Sequence, residues 1–223
     1  MAAAARPQLP ATVFAENRRV RLFRPTYHRV KRVFDVTVCV LMLPVMVPVL
    51  GLCAMLVWLD DPGPVFFRQP RTGKGGRRFG MFKFRTMVKN ADELKQQYAH
   101  LNELEWPDFK ITDDPRVTRI GRVMRKTSLD ELPQLINVLK GDMSLVGPRP
   151  TSFDVTTYTL WHTERLEVLP GITGLWQISG RSDIEFDERV RLDIEYIENR
   201  SLRLDLWIML RTIGAVFEQR GAY

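Results

Sequence analysis

The sequence predicts an α+β fold, mainly helical. A re-entrant membrane helix-break-helix leads into a compact cytoplasmic domain with a small β-hairpin and interfacial amphipathic helices. Three observations carry this expectation. Val36–Leu59 is a run of 24 residues without a charge, interrupted by Pro44 and Pro48. Apolar and basic residues then alternate around a Gly-rich turn in VFFRQPRTGKGGRRFGMFKFRTM, residues 65–87. Beyond that, apolar residues recur at helical spacing to the end of the chain.

Residues 1–29 read as a flexible basic arm, rich in Ala, Pro and Arg. No apolar stretch within the first 30 residues suits a secretory signal, so the chain is expected to stay on the cytoplasmic side. Residues 30–60 form the membrane segment. As a straight helix the uncharged run would be about 36 Å long, enough to cross a hydrocarbon core of about 30 Å. Two features argue against a crossing. Each proline removes a backbone donor and bends the helix. Basic residues also flank both sides: Arg18, Arg19, Arg21, Arg24, Arg29, Lys31 and Arg32 before, and Arg68, Arg71, Lys74, Arg77, Arg78, Lys83 and Arg85 after. A single span cannot keep both clusters in the cytoplasm. A helix that breaks at the prolines and returns to the same leaflet can, provided that protein shelters the freed backbone groups.

Residues 61–223 are expected to be one domain. DDPGP (60–64) stops the membrane segment, and the Gly-rich stretch reads as a hairpin or strand–loop–strand. Its GKGG lacks the spacing of a P-loop. Met87–Glu105 reads as a helix with Ala91, Leu94, Tyr98, Leu101 and Glu105 on one face, and Val117, Ile120 and Met124 form a short helical stripe. In RKTSLDELPQL (125–135), Ser128 and Glu131 match a capping box for a helix over about 129–140, which Gly141 ends. Phe186, Val190 and Ile197 mark a later helix whose apolar face also carries Asp193. A carboxylate there belongs either to a site or to an ion pair with an arginine. Residues 201–218 form a last helix, with Leu206, Trp207, Leu210, Ile213 and Phe217. It suits the core or the headgroup layer equally.

Composition narrows the chemistry. The net charge of +7 over 223 residues favours an anionic partner. Two cysteines and three scattered histidines give neither a disulfide framework nor a zinc spacing. No recognition helix or RNA-binding signature is present, so nucleic acid is not expected. The adjacent carboxylates Asp130 and Glu131 follow Arg122, Arg125 and Lys126. An ionised aspartate among cations can bind Mg²⁺ or attack an electrophilic phosphorus. Arg149, held between prolines in GPRP (147–150), suits phosphate recognition as well as it suits a rigid loop.

Together, KRVFD, FKFRTM, RKTSLDELPQLINVLKGDMSLVGPRP, PGITGLWQISGR and LDIEYIENRSLRLDL resemble the bacterial sugar transferase family. These are the monotopic polyprenyl-phosphate phosphoglycosyl transferases. The resemblance covers about residues 30–223 and is nearest to the short ExoY-type enzymes of exopolysaccharide initiation. It implies an enzyme of the bacterial inner membrane, its catalytic domain on the cytoplasmic face. The substrates would be a UDP-sugar, UDP-galactose or UDP-glucose, and undecaprenyl phosphate. Asp130 would be the nucleophile, forming an aspartyl phospho-sugar and releasing UMP, with Glu131 assisting. Mg²⁺ would be the cofactor, held by Asp130 and Glu131. Arg125, Arg149, Arg85 and Lys83 would face phosphate or nucleotide, and Asp193 would lie in or near the site. Membrane lipids are implied as partners, and a homo-oligomer is compatible. Some relatives place a Ser-Pro pair at the helix break; here Leu43 precedes Pro44, so Pro48 would share the bend. A non-catalytic scaffold of a polysaccharide assembly complex is the alternative, and it would leave the carboxylate pair idle.

Overall fold

The computed structural model describes residues 25–94, 96–103, 111–179 and 185–217. The arm expected at 1–29 falls outside these up to residue 24. Its last residues already belong to helix α1, Pro25–Asp60, five residues earlier than expected. Proline suits a helix start, since it has no amide donor to leave unsatisfied there.

The two helices expected on either side of a break are instead one. Pro44 and Pro48 both lie inside α1 and are exposed. Each costs one backbone hydrogen bond, but the 36-residue element retains the rest on both sides. Four residues apart, the prolines share a face, so their bends add in one direction. The helix is long and apolar enough to cross a membrane. Much of its apolar surface is open, Leu41 being 73% exposed and Val45 63%.

Its two ends are nevertheless fastened to the same body. At the start, Arg32 donates to the carbonyls of Val138 and Leu139, and Ser144 donates to Asp35 at 2.7 Å. Lys31 bridges Asp35 at 3.2 Å and the fully buried Asp205 at 2.9 Å. At the far end, Asp60 accepts from the Ile120 amide at 2.9 Å, and Arg85 pairs with Asp61 at 3.0 Å.

Strands β1 (Phe66–Thr72) and β2 (Arg78–Phe84) form the expected antiparallel hairpin, Phe66 facing Phe84 and Thr72 facing Arg78. Gly75 and Gly76 turn the chain at φ 64° and 77°, a region in which a side chain is strained. The helix expected over Met87–Glu105 is reduced to α2, Ala91–Leu94, and a 3₁₀ turn, Ala99–Leu101. Met87 instead bridges to Val117, and the Val88 amide donates to Arg116. Pairing across the chain wins over a weak helical stripe.

Helix α3, Arg119–Thr127, is capped by the Thr118 hydroxyl, which accepts from the Gly121 amide at 3.0 Å. Helix α4 is Gln134–Lys140, ended by Gly141 at φ 86° as expected. Asn137 on α4 accepts from the Phe82 amide and donates to the Gly80 carbonyl, both at 2.9 Å, so one buried amide extends the edge of β2. A parallel pair follows, β3 (Ser144–Val146) with β4 (Gly171–Thr173). The segment LPGITGLWQISGR, residues 169–181, contains β4 and a short helix, α5, Leu175–Ser179; its residues 180–181 lie outside those described. Helices α6 (Phe186–Asn199) and α7 (Leu202–Phe217) are the last described elements.

The main core joins Met81, Val138, Met143, Val146, Tyr196 and Ile208, with Cys39 of α1 among them. A second cluster joins Cys53 and Val57 of α1 to Phe84 and Met124. Ile208 and Asp205 face inward on α7, while Leu206, Trp207, Leu210 and Ile213 are exposed. The last helix therefore has both a core face and an apolar outer face.

Candidate active site

Asp130 and Glu131 lie in a 3₁₀ turn, Leu129–Glu131, between α3 and α4. Ser128 does not cap a helix there. It ends α3 at φ 57°, the only described non-glycine residue with positive φ, and makes no capping bond with its side chain. Pro133 is why the capping box fails: α4 starts only after it, and proline is favoured at helix starts. The chain thus reverses at Ser128, and Leu129 packs into the second cluster. That anchor sets the two carboxylates on a short, fixed turn.

Around them the structure gathers cations from three elements. Lys83 of β2 reaches Glu131 at 2.9 Å and Asp130 at 3.9 Å. Arg149, from the GPRP turn, grips Glu131 with both terminal nitrogens, one at 2.9 Å from Oε2 and the other on Oε1. Buried prolines 148 and 150 flank it, and no Cβ would fit at Gly147 beside the Leu169 carbonyl. Arg149 is thus held by a turn with little freedom.

A second row of residues holds the first. Arg165 donates to the Arg149 carbonyl at 2.8 Å and pairs with Asp193 at 2.6 Å, both partners buried. Asp193 therefore acts on the dyad through two arginines rather than by touching it, and the ion-pair expectation holds. Arg125 donates to the Thr86 hydroxyl at 2.9 Å and adds its charge near Asp130. Arg85 is not gathered with the dyad; it is committed to Asp61 at the end of α1.

The two acids are electrostatically unlike. Burial raises the Asp130 carboxyl above its ordinary value, Lys83 opposing and the Glu131 charge adding to the rise. Burial acts on Glu131 too, but the charges and bonds of Arg149 and Lys83 outweigh it and hold that carboxyl well below the usual range. Glu131 is a fixed anion with its oxygens engaged. Among the described residues, Asp130 has only Lys83 within ion-pair reach, so its oxygens stay available.

Known proteins resemble this chain over most of its length. The family model described as bacterial sugar transferase matches residues 26–219. The exopolysaccharide production protein ExoY of Sinorhizobium fredii is 44% identical over 198 residues, covering 86% of this chain and 88% of that one. ExoY of Rhizobium meliloti is 42% identical over 205 residues, covering 90% and 91%. The undecaprenyl-phosphate galactose phosphotransferase of Salmonella typhimurium is 44% identical over 201 residues, covering 86% of this chain but 41% of that longer one.

The chain belongs to the bacterial sugar transferase family. As a sugar transferase with one long apolar helix, it is expected to associate with membranes.

The donor set of this sugar transferase fits a cation of limited demands. Among the described residues no three acids, histidines or cysteines cluster into a closed metal cage. Two adjacent carboxylates, one already engaged by cations, suit a hard ion such as Mg²⁺, which takes one or two protein carboxylates and completes its shell with water and substrate phosphate.

Sequence reasoning missed Arg165 and Asn137. Arg165 sits in a 3₁₀ segment, Leu160–Glu167, that carries no strong periodicity. The inward-facing Asp193 was its one signal, since a buried acid demands a cation.

Proposed function

We propose that this sugar transferase moves a sugar-1-phosphate from a UDP-sugar, galactose or glucose, to undecaprenyl phosphate, the first membrane step of an exopolysaccharide. Asp130 is the nucleophile. Its carboxylate oxygen forms a bond to the β-phosphorus of the donor. The bond from that phosphorus to the bridging oxygen breaks, and the electron pair leaves with UMP. A phosphate oxygen of the lipid then attacks the same phosphorus and displaces Asp130, restoring its carboxylate.

The observation that carries this reading is the division of labour in the dyad. Glu131 is spoken for by Lys83 and Arg149, whereas Asp130 stands beside them with its oxygens free. Glu131 fixes the two cations in place, and they are then placed to bind the donor's phosphates. Mg²⁺ would be held by Asp130, beside the already engaged Glu131, and would neutralise charge on the diphosphate. Covalent transfer also separates a soluble donor from a lipid acceptor, so a small site need not hold both.

The membrane placement follows the same logic. Asp35 and Asp60, at opposite ends of the uncharged run, both bond to the one domain. That supports a helix entering and leaving by the cytoplasmic face of the inner membrane. The exposed apolar face of α7 supports an interfacial position for it.

The test is UMP release from UDP-sugars on adding undecaprenyl phosphate and Mg²⁺. Asp130→Asn is expected to abolish release, and the unaltered protein without acceptor is expected to gain the mass of one phospho-sugar. Retained turnover in Asp130→Asn would sink the nucleophile assignment.

A further inference from the structure

The hairpin carries a cation that the reaction above does not use. Side chains alternate across a strand, so the register places Arg71, Gln69 and Phe67 on the sheet face that also bears Phe79, Met81 and Lys83. Lys83 points from that face to the dyad. Arg71 faces Phe79, four residues from Lys83 and about 13 Å along the strand, a gap that two long side chains can close from either end. Thr72, which follows, bridges to Thr151 at the end of the GPRP turn, so Arg71 lies against the segment that carries Arg149.

Among the described residues it makes no ion pair of its own. Arg71 donates from Nη2 to the neutral Gln69 side chain at 2.7 Å, and its buried Nε has no partner. The charged and titratable groups around it are Arg149, Glu131, Arg78 and Tyr158. Glu131 is already shared by Lys83 and Arg149, and Arg78 donates to the Thr72 hydroxyl and the Ser152 and Phe153 carbonyls. Burial and the like charge of Arg149 push the Arg71 guanidinium down to about 10, so it remains charged at neutral pH and unneutralised. An unpaired, largely desolvated cation is costly, and a bound anion relieves the cost. A narrow cleft between the end of this strand and the GPRP turn is lined by Thr72, Gly73, Arg149, Thr151 and Tyr158.

We propose that Arg71 binds the α-phosphate of the nucleotide, the phosphate that leaves with UMP. This assignment rests on the UDP-sugar reading. With Lys83 and Arg149 at the phosphate that Asp130 attacks, Arg71 offers the next anion site along the same sheet face. A guanidinium suits this position because it binds a phosphate through two parallel bonds.

The experiment measures, for the full chain in detergent or nanodiscs, the KM for UDP-sugar, the KM for undecaprenyl phosphate and inhibition by added UMP. Arg71→Gln is expected to raise the donor KM and weaken UMP inhibition at least tenfold, with the lipid KM unchanged. Arg71→Lys, which keeps the charge and loses the second bond, should recover part of both. Unfolding temperatures of the two variants control for a damaged hairpin; if Arg71→Gln does not fold, Arg71→Lys against the unaltered protein carries the comparison. Unchanged UMP inhibition in a folded variant would overturn the assignment. So would a shift confined to the lipid KM, which would place the lipid phosphate there instead. No UMP release from the unaltered protein would overturn the donor reading itself.

Discussion

Asp130 and Glu131 are chain neighbours in opposite electrostatic positions, and stability should report the difference. Burial raises the folded Asp130 carboxyl above its unfolded value, so the folded state holds that proton to higher pH. Stability from this group is then greatest at low pH and is lost as pH rises through the folded pKa. Asp130→Asn removes the cost of ionisation, and at neutral pH it is expected to stabilise the protein by roughly 0.5–2 kcal/mol while abolishing turnover. Glu131 behaves oppositely. Its carboxyl is depressed despite burial, so its contribution is present above the unfolded value of 4.5 and is lost as pH falls. Glu131→Gln leaves Lys83 and Arg149 with only the more distant Asp130 carboxyl and should cost roughly 3–5 kcal/mol. Thermal unfolding of both variants at pH 7 checks the pair. Equal shifts in the same direction would refute the division of labour.

Among elements, the site depends on a tie between α6 and the turn that bears Arg149. Asp193 on α6 holds Arg165, which holds the Arg149 carbonyl. Asp193→Ala strands a buried guanidinium and is expected to cost about 3–5 kcal/mol. Donor affinity should also fall as Arg149 loosens, and Arg165→Met with Asp193→Leu should restore much of the stability but not the affinity. Burial lifts the Asp193 carboxyl from 3.8 to about 6 against the pull of Arg165, so its contribution to stability falls as pH rises across that window. Unfolding curves between pH 4 and 7 should lose this slope in the alanine variant. These ties also mark how far the sequence could be read. The hairpin, α3, α6 and the Gly141 stop follow from period and turn residues, and the dyad was visible as a charge pattern. The capping box failed because Pro133 delays α4, and the Met87–Glu105 helix failed because Met87 and Val88 pair with a segment nearly thirty residues away. Arg71 was visible only as one flanking charge among seven. Its burial beside Arg149 depends on a bridge from Thr72 to Thr151 that no local pattern encodes.

For the whole molecule, the question is which side of the bilayer each end of α1 occupies. Both ends of the uncharged run bond to one domain: Arg32 and Asp35 to α4 and β3, Asp60 to α3. A straight helix of 36 residues would be about 54 Å long. A domain bonded to both of its ends could not sit wholly on one side of a bilayer that the helix crosses. Bends that add at Pro44 and Pro48 would let the helix dip into one leaflet and return. The exposed Leu206, Trp207, Leu210 and Ile213 of α7 offer a second contact at the same surface. Cysteines placed at exposed His28 and Pro64, before and after the apolar run, test the arrangement. The native Cys39 and Cys53 are buried and should stay silent. Both new cysteines are expected to react with a membrane-impermeant maleimide in inverted inner-membrane vesicles and to be protected in intact spheroplasts. Labelling of either one from the spheroplast exterior would mean that α1 crosses, and the bonds at one of its ends would then have to break in the membrane.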